Sequence, residues 1–350
     1  MNKKKALLIG NGINRLEPDE SYSWGDILSE LSGENGFPVD LDNSLKPFPL
    51  AFDEVLHAQK NEFELDEKLK KLKKMIRKAI EKKIENKRGY NKYHKDLVNL
   101  GYDDILTTNY DYAFQLSVDE DFHNKKRKWA VNKEESKNSL KRCYEIPTTR
   151  TKIWHIHGEL YNSRKSSSNS QRYDEESIMI GYAHYVSYLN KMNEKINGKN
   201  GKQTVGNKSL MVRLRDKVDS PFWMDIFFTH DVDIVGQGLD FSENHLWWII
   251  NHRANMLADG RRKNNIDIRN SITFFYPEVK QDNKAEDDDE VFKRRVDSLK
   301  LKAVADLLRA FRVDTVPIDC HAYDEFYEKF IHGRLSEMRS SIAGDVRAWA

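Results

Sequence analysis

Short apolar runs, each closed by a glycine or by a cluster of small polar residues, recur along the chain. The first is Lys5-Ala-Leu-Leu-Ile-Gly10. A continuous apolar run of that length, with no polar alternation, is the pattern of a strand buried on both faces of a parallel sheet. Runs of the same kind follow at Asp104-Ile-Leu-Thr-Thr108, Lys152-Ile-Trp-His-Ile156, Ser177-Ile-Met-Ile180, Val232-Asp-Ile-Val235, Ser271-Ile-Thr-Phe-Phe-Tyr276 and Val313-Asp-Thr-Val-Pro-Ile318. Helical patterns lie between several of them. The longest, Phe63 to Asn86, repeats Leu65, Leu69, Leu72, Met75, Ile76 and Ile80 at mostly three- and four-residue spacing, with Lys and Glu on the other faces. Strands alternating with helices predict an α/β fold with a largely parallel sheet.

Three polar stretches read as loops: Asn162 to Glu176, Ile196 to Ser209 and Gln281 to Glu290. The first two bracket the tyrosine-rich segment Tyr182 to Lys195, which predicts an insertion over the sheet edge. With no internal repeat and no linker, the expectation is one domain over residues 1–335. It carries helical insertions at about 50–100 and 182–225, and residues 336–350 follow as a tail.

Composition narrows the partners. Of 350 residues, 58 are Lys or Arg and 56 Asp or Glu, a formal net charge of +2. So balanced a chain has no field of one sign to attract nucleic acid or anionic membrane. The short basic stretches Lys125-Lys-Arg-Lys128 and Arg261-Arg-Lys263 are local exceptions, and such runs are usually solvated faces. No stretch approaches the roughly 18 apolar residues of a spanning helix, and the apolar run after Met1-Asn-Lys-Lys-Lys5 is too short for a signal-peptide core. The two cysteines, Cys143 and Cys320, cannot build a four-cysteine zinc module or a disulfide scaffold. The chain reads as cytoplasmic.

Four segments carry candidate chemistry. Gly10-Asn-Gly-Ile-Asn14 directly follows a predicted strand, where glycine allows a sharp turn and close approach of backbone N–H groups to a phosphate. Arg15 stands where a full dinucleotide fingerprint has its third glycine, so a tight turn alone is an equal reading. Thr107-Thr-Asn-Tyr-Asp111 ends the next strand, at the edge where open α/β sheets bind ligands. Thr108 or Asn109 as a helix cap accounts for one of these residues and not for all. His155-Ile-His-Gly158 ends a third strand. Two residues apart, both imidazoles can share a face, but no second cluster with ligand spacing accompanies them, and no metal is expected. One histidine is expected to pack, the other, His157 beside Gly158, to face a ligand. Last, Val235-Gly-Gln-Gly-Leu-Asp240 leads into a helix. Asp240 and Glu243 fit a capping box, and Trp247 and Trp248 supply core or an oligomer contact.

In this order the segments resemble the sirtuin-like (Sir2-type) NAD-hydrolysing domain of bacterial anti-phage defence proteins. Ser177-Ile-Met-Ile-Gly-Tyr-Ala-His-Tyr185, Leu246-Trp-Trp248 and Val316-Pro-Ile-Asp319 add to the likeness, which runs from Lys5 to about Phe330. An abortive-infection family with its own Gly-Asn-Gly, Asn-Tyr and His-x-His-Gly motifs is a near neighbour. The resemblance implies a Rossmann-like sheet holding NAD across its carboxyl edge. By it, Asn109 and His157 are catalytic. Gly10, Asn11, Gly12, Ile13 and Asn14 wrap the pyrophosphate and nicotinamide side, joined by Thr108 in the second loop. Asp111 places the carboxamide or ribose, and Gly236, Gln237, Gly238 and Leu239 line the adenosine side. Protein-deacylating sirtuins have a zinc module, and an arginine and a phenylalanine where this chain reads Glu17-Pro-Asp-Glu-Ser21. Both departures favour plain hydrolysis of NAD.

That chemistry suits the residues. Nicotinamide leaves a cationic pyridinium as a neutral group, so the enzyme must stabilise an oxocarbenium-like ribose and deliver water. An amide can orient that water, and a histidine can accept its proton. The expectation is an NAD glycohydrolase, with a non-catalytic NAD- or ADP-ribose-binding module as the alternative. The family also implies a switch. One domain filling the chain puts that switch in self-assembly or in a separately encoded partner, a ring-forming ATPase or a nucleic-acid-guided protein. The helix Phe63 to Asn86 and the pair Trp247–Trp248 are candidate contact surfaces.

Overall fold

Lys5–Ile9 forms β1, and its apolar residues are fully buried. Ala6 and Leu8 enter one core cluster, Leu7 and Ile9 the other, because successive side chains of a strand point to opposite faces. β2 (Asp104–Thr107), β4 (Lys152–His155) and β7 (Asp231–Val235) are likewise largely buried. With the two-residue β3 (Tyr144–Glu145), β8 (Ile272–Val279) and β9 (Asp314–Cys320), they build one seven-stranded sheet in the order β3-β4-β2-β1-β7-β8-β9. Every pairing is parallel except β3 with β4. β5 (Tyr161–Asn162) and β6 (Tyr173–Asp174) form a separate antiparallel ribbon.

The computed structural model describes residues 3–16, 28–29, 46–58, 65–86, 89–119, 122, 140–159, 161–162, 173–174, 178–198, 208–218, 222–259, 268–279 and 288–348. Glu17–Ser21, Lys125–Lys128, Arg261–Lys263 and most of the three polar loops lie outside the described residues.

Helices cover both faces, giving the Rossmann-like α/β layering expected. Between β1 and β2 come α1 (Phe48–Ala58), α2 (Leu65–Asn86) and α3 (Lys92–Asn99), and α4 (Ala113–Val118) follows β2. α5 (Tyr182–Asn197), α6 (Leu210–Arg215) and α7 (Ile226–Thr229) precede β7. α8 (Asn244–Asp259) and α9 (Asp288–Ala310) connect β7 to β8 and β8 to β9, and α10 (Tyr323–Ala348) closes the chain. Phe52, Leu72, Leu97, Phe326 and Phe330 join the cluster on the Leu7 face. Tyr188, Leu210, Ile226, Ile249 and Leu308 join the one on the Leu8 face. Residues expected as a C-terminal tail continue α10 to Ala348. Among the described residues no helix is long and apolar enough to cross a membrane.

Two expectations about strands are corrected. Ile178–Ile180 is buried but is not a strand. Its central residue is tied on both sides, with the Met179 N–H donating to the His157 carbonyl (2.8 Å) and the Met179 carbonyl accepting from the Tyr110 hydroxyl (2.5 Å). β9 is not buried on both faces: it is the sheet edge, and only Cys320 in it is buried. Pro317, which has no N–H to donate, is tolerated there for that reason.

Candidate functional site

The chain builds β1, β2 and β4 outward in one direction, then returns to lay β7 on the other side of β1, with Ile9 opposite Val235. That reversal is the topological switch point of a doubly wound sheet, where the loops leaving two neighbouring strands diverge and leave a crevice. β1 runs into a 3₁₀ turn at Asn11–Arg15. The Gly12 N–H donates to the Gly236 carbonyl (3.3 Å). A Cβ at Gly10 would stand 1.9 Å from Gln237 Oε1, and one at Gly12 2.8 Å from Gly236 O. The glycines of the first loop therefore let the loop after β7 pack directly on it. Gly236 itself has φ +58°, and a Cβ there would meet the Tyr327 hydroxyl at 1.8 Å.

A cleft of about 290 Å³ opens on these loops. Asn11, Gly12, Thr108, Gly236, Gln237, Gly238 and Leu239 line it, and so do Asp240, Glu243, Phe275 and Tyr323. Gly10, Ile13, Asn14 and Asp111 do not; they shape the loop. Ile13 is core, and its carbonyl accepts from Asn91 Nδ2 (2.7 Å), while Asn91 also caps α3. Asn14 Nδ2 donates to Asn11 Oδ1 (2.8 Å) and to Asp111 Oδ2 (3.0 Å), joining the first loop to the second. The other oxygen of Asp111 accepts from the Ala113 N–H at the start of α4 (3.1 Å).

The loop after β2 is equally specified. Thr107 Oγ1 accepts from the Asn109 N–H (3.1 Å), and the Thr108 hydroxyl donates to Gln237 Oε1 (3.3 Å). Asn109 is buried beneath the first loop, its Nδ2 donating to the Gly10 carbonyl (3.3 Å). Its Oδ1 is buried with no hydrogen bond. A buried amide oxygen left so costs about 1–3 kcal/mol, an outlay that folding alone does not explain.

The two histidines after β4 part company. Gln115 Nε2 donates to His155 Nε2 (2.7 Å), which leaves His155 Nδ1 to donate to the Asn109 carbonyl (2.9 Å). His155 is thus a support for Asn109. His157 lies past the strand end, in the turn before Gly158, whose φ is +86°. It is buried, with its Nε2 2.9 Å from His245 Nε2 and 3.0 Å from Glu243 Oε2. Burial, and then the nearness of the His157 imidazole, hold His245 well below the usual imidazole range. Burial, and then the charge of Glu243, push the Tyr110 and Tyr185 hydroxyls well above theirs, so both stay protonated.

Glu243 and His245 overturn two expectations. The capping box does not form: α8 begins at Asn244, and Asp240 Oδ1 accepts from the Ser242 N–H (2.8 Å) in a local turn. Glu243 is thereby freed to line the cleft and reach His157. A second cluster of ligand-type side chains also exists, and it is the Glu-x-His pair of this turn. The sequence signal was present: a histidine on the apolar face of a helix, beside Leu246, just after a glycine loop at the sheet's carboxyl edge. Trp247 and Trp248 pack against the core, Trp247 Nε1 donating to the Asp240 carbonyl (3.1 Å) and Trp248 stacking on His252.

Residues 103–212, which run from the approach to β2 into the start of α6, match the family model described as the SIR2-like domain. The match supports a Sir2-type domain over that span and, at the level of the family, a function related to NAD, the substrate of SIR2-like domains. No curated protein matches the chain.

Proposed function

We propose that the protein is an NAD glycohydrolase: NAD and water give nicotinamide, ADP-ribose and a proton. The observation that carries the reading is the buried, unpartnered amide oxygen of Asn109 beside the switch-point cleft. The residues present fit a dinucleotide. Glycine loops border the cleft, and space stands open where a side chain at Gly238 would be.

In this reading Gly10, Asn11, Gly12, Ile13 and Asn14 form the loop about the pyrophosphate and nicotinamide side, with Thr108 beside it. Asp111 fixes Asn14, and Gly236, Gln237, Gly238 and Leu239 take the adenosine side. Asn109 Oδ1 accepts a hydrogen bond from the attacking water or the ribose 2′-hydroxyl. Glu243 meets that water from the cleft, and His157 behind it takes up the proton. Incubating purified protein with NAD and separating the products by chromatography tests this. Asn109→Ala is expected to lower turnover about 10²–10³-fold and His157→Ala about 10²–10⁴-fold. Undiminished turnover in either sinks the assignment. NAD binding by calorimetry without product would instead assign the non-catalytic module.

The family resemblance further supports an anti-phage, abortive-infection effector held inactive until it assembles or meets a separately encoded partner, a ring-forming ATPase or a nucleic-acid-guided protein.

A further inference from the structure

We propose that His157, Glu243 and His245 form a site for one zinc-class divalent ion behind the Glu243 wall of the cleft. Three donor atoms, one from each side chain, lie within 4.8 Å of one another. His157 Nε2 is 2.9 Å from His245 Nε2 and 3.0 Å from Glu243 Oε2. One imidazole nitrogen carries at most one proton and cannot satisfy both neighbours. Glu243 Oε2 is buried and makes no hydrogen bond despite that 3.0 Å approach, and His245 Nδ1, 3.8 Å from the same oxygen, makes none either. Proton sharing therefore leaves the Glu243 oxygen short, whereas a cation between the donors satisfies it. Ligands about 2.0–2.1 Å from a tetrahedral zinc stand roughly 3.3 Å apart, a few tenths of an ångström beyond the two separations at His157.

The donor set selects the metal. Two imidazoles and a carboxylate match zinc and its neighbours, while Mg²⁺ and Ca²⁺ prefer all-oxygen shells. Both histidines are at least nine-tenths buried, and of the three only Glu243 lines the cleft, which makes it the side from which an ion enters. The ion takes the His157 lone pair that proton acceptance needs, so occupancy inhibits turnover; this last step rests on the hydrolase reading, and the binding does not.

The test is titration of chelator-treated full-length protein with Zn²⁺ by calorimetry, and with Co²⁺ by its visible ligand-field absorption. The expected result is one ion per chain and a tetrahedral Co²⁺ spectrum, with affinity reduced at least tenfold in His245→Ala and in the cleft-side variant Glu243→Gln, both checked for folding by circular dichroism. Binding that is absent, or unchanged in folded Glu243→Gln, overturns the site. Zn²⁺ is expected to suppress NAD turnover of the unsubstituted protein at least tenfold, and unaltered turnover in that protein when loaded overturns the inhibitory role. Binding without turnover in any sample, the assembled protein included, removes the hydrolase reading alone, and turnover without binding removes the metal site alone.

Discussion

Gly236 and Gly238, two positions apart, do different jobs, and a single methyl group separates them. At Gly236 the backbone is left-handed and the Tyr327 hydroxyl occupies the place of a Cβ. Gly236→Ala should cost about 1–3 kcal/mol and pull the loop off Gly12, read as a lower midpoint in urea. Gly238→Ala, with nothing within 4 Å and no positive φ, should stay within about 0.5 kcal/mol of the parent. Equal losses at both would contradict the packing of the two loops. The cysteines make a second residue-scale prediction. Burial pushes the Cys143 thiol up to about 12 and raises that of Cys320. Neither forms appreciable thiolate at pH 8, so a thiol reagent should find no fast-reacting group in the native protein and two after denaturation. Rapid native labelling would show that the core at β3 or β9 is not closed. At this same scale, the sequence pointed to His157 by its place beside a glycine at a strand tip, and to Asn109 through the family resemblance of the loop that holds it. It did not reveal Glu243: Asp240-x-x-Glu243 has the spacing of a capping box, and only the third dimension brings Glu243 against His157.

Among the elements, those buried on both faces were readable because a buried parallel strand leaves a continuous apolar run. Leu7 and Leu8 need opposite cores, and Asp104-Ile-Leu-Thr107 repeats the pattern. Ile178–Ile180 carries the same signature without being a strand, since composition cannot register that Met179 already has its partners in His157 and Tyr110. β3 was invisible for the opposite reason: two residues make no run. The packing of α6 was equally hidden. Arg213 is buried there with its guanidinium on both oxygens of Asp225 (2.9 and 2.6 Å). Burial raises the Asp225 carboxyl and the Arg213 hydrogen bonds oppose it. Arg213→Met alone should cost about 3–5 kcal/mol, and the double change with Asp225→Leu should recover most of that. Denaturant titration of both variants checks it; a double variant as unstable as the single would place the loss in packing rather than in the stranded carboxylate.

For the whole molecule, chain order through the sheet decides where function sits. Because β7 returns beside β1, loops separated by more than two hundred residues in sequence meet as Gly12 and Gly236, and the residues between them supply the rest of the site. Alternating runs foretold the α/β class; the strand order, and with it the meeting of those loops, follows from tertiary packing that no local pattern carries. The proposed control by assembly belongs to this scale as well. Mass photometry of the protein, alone and with its genomic-neighbour proteins, should find a larger species that carries the turnover, and an active strict monomer in every mixture would contradict that control.

The central claim is that water is the acceptor when NAD is cleaved in this cleft. Turnover in ¹⁸O-labelled water, followed by mass spectrometry, tests it most directly. The account predicts equal amounts of nicotinamide and ADP-ribose, one labelled oxygen in each ADP-ribose, and loss of both products in Asn109→Ala. NAD left intact by the assembled protein, or ADP-ribose formed without the label, would contradict it.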